Sequence, residues 1–199
     1  MNDPLPSSDL DAVAATDMAV PQARARSHPF KGVLDLLYDL VIAVITCVLL
    51  ITYVVQAFKV QGSSMVPQLV DGERILVNKF IYRFRPIDRG DVAVFWYPDD
   101  PEVSFIKRVI GLPGDVVEIR HGVVHVNGRA LVEEYVQPEN ADGRSFPPQR
   151  VREGHYFVLG DNRRGSNDSR SWGFVPRRYI YGKAFIRIWP LPKFGRISH

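Results

Sequence analysis

The sequence predicts a mainly β protein, an antiparallel β-rich domain behind a single N-terminal transmembrane helix. Two observations carry this reading. One is the uncharged apolar run Leu40–Phe58. The other is a series of short β-type runs closed by glycine-containing turns, with no helical period beyond residue 59. Composition sets the outer limits. A chain of 199 residues, 46% hydrophobic and 24% charged, holds one domain with a tail and an anchor. It is too apolar to be wholly disordered and too short of apolar runs to be polytopic. A net charge of +3 is too mild to point to nucleic acid, and the lone Cys47 excludes an internal disulfide framework or a cysteine zinc cluster.

Residues 1–32, rich in Asp, Ser, Pro and Ala, read as a flexible cytoplasmic tail that buries too little surface to offset the entropy of ordering it. Residues 33–58 read as the transmembrane anchor. The 19 residues from Leu40 to Phe58 would span ~28 Å as a helix, close to the thickness of a bilayer's hydrocarbon. A buried core helix would carry a polar stripe, and this run is apolar on every face. A removable signal peptide would have a shorter run and a small-x-small exit, but the exit here is Gln56-Ala57-Phe58-Lys59. Arg24, Arg26 and Lys31 precede the run and Lys59 alone follows closely, which puts the N-terminus in the cytoplasm and residues 59–199 on the far side.

In that outer part the strand candidates are Arg74–Lys79, Asp91–Tyr97, Ser104–Ile110, Val116–Arg120, Val123–Val126, Tyr156–Leu159 and Lys183–Trp189. Pro113-Gly114 suits a type II turn and Asn127-Gly128 a type I′ turn. Strands so spaced predict an antiparallel barrel or sandwich. Residues 137–153, with three prolines and few apolar side chains, read as a loop.

Three stretches bear chemistry. In Gln61-Gly62-Ser63-Ser64-Met65-Val66-Pro67 the backbone must turn, exposing a hydroxyl and freeing N–H donors; an ordinary turn serine fits the same pattern. In Ser104-Phe105-Ile106-Lys107-Arg108-Val109-Ile110, strand alternation sets Phe105, Lys107 and Val109 on one face and Ile106, Arg108 and Ile110 on the other. A lysine drawn among apolar neighbours loses its proton more easily and becomes a general base, a role closed to arginine; a surface lysine on an edge strand is the alternative. The third, Gly160 to Arg170, is a polar run dense in hydrogen-bonding groups. Asp168 can pair with Arg170 and Ser166 offers a hydroxyl nearby, or the run is simply a well-bonded surface turn. The five histidines, at 28, 121, 125, 155 and 199, accompany no nucleophile elbow and no His-Glu-x-x-His pattern.

The order of these parts resembles the bacterial type I signal peptidases, the Ser-Lys leader peptidases. An apolar anchor precedes Gly62-Ser63-Ser64-Met65-Val66-Pro67, then Arg89-Gly90-Asp91-Val92-Ala93-Val94-Phe95, then Phe105-Ile106-Lys107-Arg108-Val109-Ile110-Gly111-Leu112-Pro113-Gly114-Asp115, then the run from Gly160 to Pro176. The resemblance covers about residues 58–190. It implies Ser64 as nucleophile, Lys107 as general base and Ser166 as the hydroxyl that orients the lysine. It also implies Asp168–Arg170 as a structural ion pair, and Met65 and Ile106 as lining of the pockets for small substrate side chains. The implied activity is cleavage of signal peptides from exported preproteins after small residues. No metal or organic cofactor is implied, and the partners are those preproteins and the lipid bilayer of the cell (inner or cytoplasmic) membrane. The sequence departs from the family at Gly62, where many members carry a serine serving the oxyanion hole. The short segment between the lysine and Gly-Asp-Asn motifs leaves little room for an accessory domain. Rival readings are another Ser-Lys processing protease, pilin- or conjugation-linked, and a non-catalytic membrane-anchored domain that binds peptides. Trp96, Trp172, Phe174 and Trp189 are candidates for contact with the membrane interface.

Overall fold

The computed structural model describes residues 29–197. Residues 1–28, most of the expected tail, lie outside the described residues, and helix α1 (Pro29–Tyr53) starts within the tail's expected bounds. Its stretch Gly32–Leu50 is long and apolar enough to cross a membrane, and none of it is buried within the protein, unlike the helix of a soluble core. By contact density the chain divides into two units, Met1–Ile42 and Ala43–His199. The second contains every strand among the described residues.

The helix stops earlier than the apolar run suggests. Residues 55–58 do not continue it; Val55–Lys59 forms strand β1, paired antiparallel with β2 (Arg74–Asn78) from Val55 opposite Asn78 to Lys59 opposite Arg74. Hydropathy alone does not separate the two states here. The pairing on β2 satisfies backbone groups that the last helical turn would leave open.

The remaining strands are β3 (Val92–Tyr97), β4 (Asp100–Gly111), β5 (Val116–Arg120), β6 (Val123–Val126), β7 (Arg129–Ala130), β8 (Phe146–Arg150), β9 (His155–Leu159), β10 (Val175–Pro176), β11 (Ile180–Trp189) and β12 (Gly195–Arg196). One sheet runs β1-β2-β11-β3-β4-β9-β10, with β12 on β11, and a second runs β7-β6-β5-β8. Among the described residues all pairs are antiparallel, as the short turns require. The expected loop 137–153 holds a strand: β8 pairs with β5, Val116 opposite Arg150 and Ile119 opposite Phe146. Its sequence, Phe-Pro-Pro-Gln-Arg, lacks alternation because it lies at the end of the small sheet with only Phe146 turned inward. At the β6–β7 turn both Asn127 (φ 52°) and Gly128 (φ 79°) are left-handed, as a type I′ turn demands.

The large sheet is covered on both faces. Along β3, Val92 and Val94 enter one apolar cluster with Val60, Met65 and Ile75, while Ala93 and Phe95 enter another with Val109 and Val158. That is why Val92–Phe95 reads as an unbroken apolar run. A third cluster, including Ile110, Val117, Val124, Phe157 and Leu159, joins the small sheet to the ends of β4 and β9. Gly111 lies at this junction. A Cβ there would stand 2.6 Å from Val117 Cγ2 and 2.9 Å from Val151 Cγ2, so only glycine lets β4 pass.

Candidate active site

Ser64 sits where the chain leaves the large sheet. Val60 still bonds as a strand residue, its N–H donating to the Glu73 carbonyl at 2.8 Å. Gly62 then turns at φ 84°, with its N–H donating to Asp71 Oδ1 at 2.7 Å. Beyond the turn the loop is pinned from the opposite side of the site. The Asn162 N–H donates to the Ser64 carbonyl at 3.0 Å, and Asn162 Nδ2 donates to the Ser63 carbonyl at 3.1 Å. Among the described residues the Ser64 N–H donates to no protein acceptor, so it remains available beside its own hydroxyl.

Lys107 reaches this hydroxyl from the middle of β4. Its Nζ lies 2.7 Å from Ser64 Oγ and 3.2 Å from the Ile106 carbonyl oxygen. The ammonium position is 5.0 Å from the centre of the Phe105 ring, which stacks in turn on Tyr97 at 4.5 Å. Lys107 is 4% exposed. Burial penalises its charged form and lowers the pKa from 10.5 to about 8, against the opposing pull of the Asp168 and Asp161 carboxylates. A neutral amine within hydrogen-bonding distance of a hydroxyl is the arrangement that general-base activation of an alcohol requires.

The pair opens onto a cleft of about 300 Å³. Phe58, Val60, Ile75, Val94 and Ile106 form its apolar side, and Gly62–Ser64, Gly165 and Asn167 its polar side. One of its borders is an open strand edge. From Ser104 to Arg108, β4 pairs with β3, but on its other side β9 begins pairing only at Arg108. Ser104–Lys107 therefore offers backbone groups toward the cleft on that side.

The other expected site residues divide. Ile106 lines the cleft. Met65 does not: it is 1% exposed and packs in the cluster of Val60, Leu69 and Ile75, because the turn after Ser64 carries it inward. Asp168 and Arg170 meet in a two-pronged pair, Nε to Oδ1 and Nη2 to Oδ2, both at 2.8 Å. Asp168, fully buried, also accepts the Gly160 N–H at 3.1 Å and the Arg170 N–H at 3.3 Å, capping the short helix α2 (Ser169–Trp172). Ser166 departs from expectation. Its hydroxyl is buried without a hydrogen-bond partner and makes no bond to Lys107. It lodges instead over Gly160, where a Cβ would collide with both Ser166 Oγ and the Ser64 carbonyl. Of the aromatic candidates for a membrane contact, Trp172 packs on Phe95 and Tyr97, and Phe174 on Phe157, whereas Trp96 and Trp189 are exposed.

Sequence reasoning missed the layer behind the lysine. Arg108, fully buried, donates from Nε and Nη2 to the two Asp161 oxygens at 2.9 and 2.7 Å and stacks on Tyr135 at 3.9 Å. Arg163 makes a similar fork to Glu133 at 2.8 and 2.6 Å. The available signals were the cation beside Lys107 on the opposite face of an apolar strand and the polar run that contains its partner; nothing local pairs the two across 53 positions.

Comparison with known proteins agrees with this architecture. The family model described as signal peptidase, peptidase S26, matches residues 33–189. The chain is 40% identical over 180 residues to the probable signal peptidase I-2 of Synechocystis sp., covering 88% of this chain and 82% of that one. It is 37% identical over 178 residues to the probable signal peptidase I-1 of the same organism, covering 85% and 89%. Against the signal peptidase I of Leptolyngbya laminosa the identity is 40% over 155 residues, covering 74% and 75%. The matched span includes both Ser64 and Lys107, and the chain accordingly belongs to the signal peptidase, peptidase S26, family and is a serine endopeptidase.

Proposed function

We propose that this endopeptidase works through a Ser64–Lys107 dyad, held to the cell membrane by α1, and cuts exported preproteins after small residues to release their signal peptides. The single observation that carries the dyad is the 2.7 Å separation of Nζ and Oγ in a site dry enough to lower the lysine's pKa to about 8. Neutral Lys107 takes the Ser64 proton as Oγ attacks the scissile carbonyl carbon, and the Ser64 N–H donates to the oxygen that gains charge. Collapse breaks the C–N bond, and the lysine's proton goes to the departing amine. Water, deprotonated by the again neutral Lys107, then attacks the acyl carbon; the bond from that carbon to Oγ breaks, the new C-terminal carboxyl leaves, and the lysine returns the proton to Oγ.

The cleft fits a peptide in extended form. A strand laid along Ser104–Lys107 gains main-chain bonds from the open edge, and alternate side chains turn toward Phe58, Val60, Ile75, Val94 and Ile106. That confined apolar wall suits small side chains. The basic residues before α1 favour a cytoplasmic N-terminus, with the two sheets on the far side where signal peptides emerge.

The test incubates the purified full chain in lipid vesicles with one preprotein and sequences the product's new N-terminus. A single cut after a small residue is expected, abolished in Ser64→Ala and in Lys107→Ala while circular dichroism reports an intact fold. Cleavage persisting in either folded variant overturns the dyad. Binding with no product from the unaltered chain would make it a peptide-binding domain instead.

A further inference from the structure

We propose that Asn162 is a positioning residue for the oxyanion donor, holding the two peptide planes that flank Ser64 so that its N–H faces the reacting carbonyl. The inference rests on the Ser64–Lys107 dyad and deepens it. A peptide's C=O and N–H lie trans in one rigid plane, so a bond to the Ser63 carbonyl also aims the Ser64 N–H. Asn162 Nδ2 donates to that carbonyl at 3.1 Å. The Asn162 backbone N–H donates to the Ser64 carbonyl, in the next plane, at 3.0 Å. One residue thus grips the chain on each side of the Ser64 Cα. The Val66 N–H shares the Ser63 carbonyl at 3.2 Å. Donation to a carbonyl also polarises its peptide, which strengthens the N–H at the other end as a donor.

Asn162 is itself firmly mounted. The Gly165 N–H donates to its Oδ1 at 3.1 Å. A backbone N–H can only donate, so the amide oxygen faces Gly165 and the amide nitrogen faces the Ser63 carbonyl. The residues on either side are fixed as well. Asp161, fully buried, is forked by Arg108. Arg163, 3% exposed, forks Glu133 and donates from Nε to the Gly160 carbonyl at 3.0 Å. Buried ion pairs often add no stability, because taking two charges out of water offsets their attraction. Here they give the residue between them a fixed seat. Strand β4 then serves the nucleophile twice. Lys107 meets its hydroxyl, and Arg108 holds the seat of the residue that aims its N–H.

The test follows cleavage of one soluble peptide, with small residues before the cut, by the full chain in detergent and by its variants. Asn162→Ala removes the side-chain bond and leaves the Val66 bond in place. Its kcat is expected to fall about 10- to 100-fold, short of the ~10²–10³-fold that losing an oxyanion donor outright costs. KM should be unchanged, since the bond acts on the transition state. The acid limb of kcat/KM should stay at about pH 8, because Asn162 carries no charge to act on Lys107. Gly165→Ala reaches the same amide from the other side: its Cβ would stand 2.8 Å from Asn162 Nδ2, so the amide must give way. It should lower kcat likewise, with the double variant no slower than the slower single one. Circular dichroism reports the fold, and Gly165→Ala carries the test alone if Asn162→Ala does not fold. A parental kcat in the folded variant, a loss borne by KM alone, or an acid limb that moves overturns the proposal. So does a double variant whose losses multiply. Ser64→Ala separates this inference from the dyad. If it is inactive while folded Asn162→Ala runs at full rate, the positioning role falls alone. If it still cleaves, the dyad falls and the positioning role with it.

Discussion

Lys107 owes its chemistry to a strand that is covered on both sides. Strand alternation in the sequence separates Lys107 from Arg108 correctly, but it cannot say that both faces are inner ones, since the covering layers come from residues 60–69 on one side and from Tyr82, Ile87, Trp172 and Val175 on the other. The two cations meet burial differently. Arg108 grips Asp161, whereas among the described residues Lys107 has no carboxylate within ion-pairing distance and its pKa is lowered to about 8. The direction of the effect on stability follows. Below about pH 8 the amine is charged in both folded and unfolded chains, so the full penalty of burying it is present. Between about 8 and 10.5 the unfolded chain still binds a proton that the folded one has lost, so stability rises with pH. The penalty at neutral pH is about 3 kcal/mol, at ~1.4 kcal/mol per pH unit. Lys107→Met keeps the bulk and removes the charge. It should raise the urea midpoint at pH 7, with the gain shrinking toward zero by pH 10.5. A midpoint equal to or below the parent's at pH 7 refutes the buried-charge argument. Activity of the unaltered chain moves with the same proton: kcat/KM should drop about tenfold per pH unit below about pH 8. The Ser166 hydroxyl marks the limit of reading at this scale, because a motif names the residue but not the rotamer that leaves its oxygen unpartnered over Gly160.

Most elements were legible because their residues obey local rules. All seven strand candidates fall on strands of the structure, three of them inside longer ones, and the Asn127-Gly128 turn has the backbone its residues demand. The failures share a cause, which is that the deciding partner lies far along the chain. Val55–Lys59 continues an apolar helix by composition and becomes a strand only because β2 is there to receive it. Phe146–Arg150 carries two prolines and is ordered by β5, some 30 residues earlier. The segment from Gly160 to α2 is intermediate. Its polar density announced a network, yet the network's geometry rests on a single carboxylate that caps α2, holds the Gly160 N–H and grips Arg170. Asp168→Ala removes all three at a fully buried position and should cost about 3–5 kcal/mol in urea unfolding. Arg170→Met leaves Asp168 with its two backbone donors and should cost less. The reverse order would show that Arg170, through its 2.8 Å contact with Asp142, is the true keystone of the segment.

At the scale of the whole molecule, an unburied apolar helix and a cleft of only about 300 Å³ make sense together. A site built for small side chains has little surface with which to hold its substrate, because each small group buries little area. A signal peptide carries its own apolar segment, so the proposed anchor, by placing enzyme and substrate in one bilayer, would raise their local concentration without any new contact in the cleft. The short tether is consistent with this, since only ten residues separate Tyr53 from Ser64 and half of them are committed to β1. Separating the two contributions needs two substrates. A chain beginning at Val54 keeps every strand and both members of the dyad, so its kcat/KM on a short soluble peptide should equal that of the full chain. On a preprotein embedded in vesicles it should fall by about 10² or more, the scale set by losing a shared surface. Equal losses on both substrates would mean that the helix supports the fold of the sheets. No loss on either would mean that the cleft alone captures the preprotein, despite its small volume.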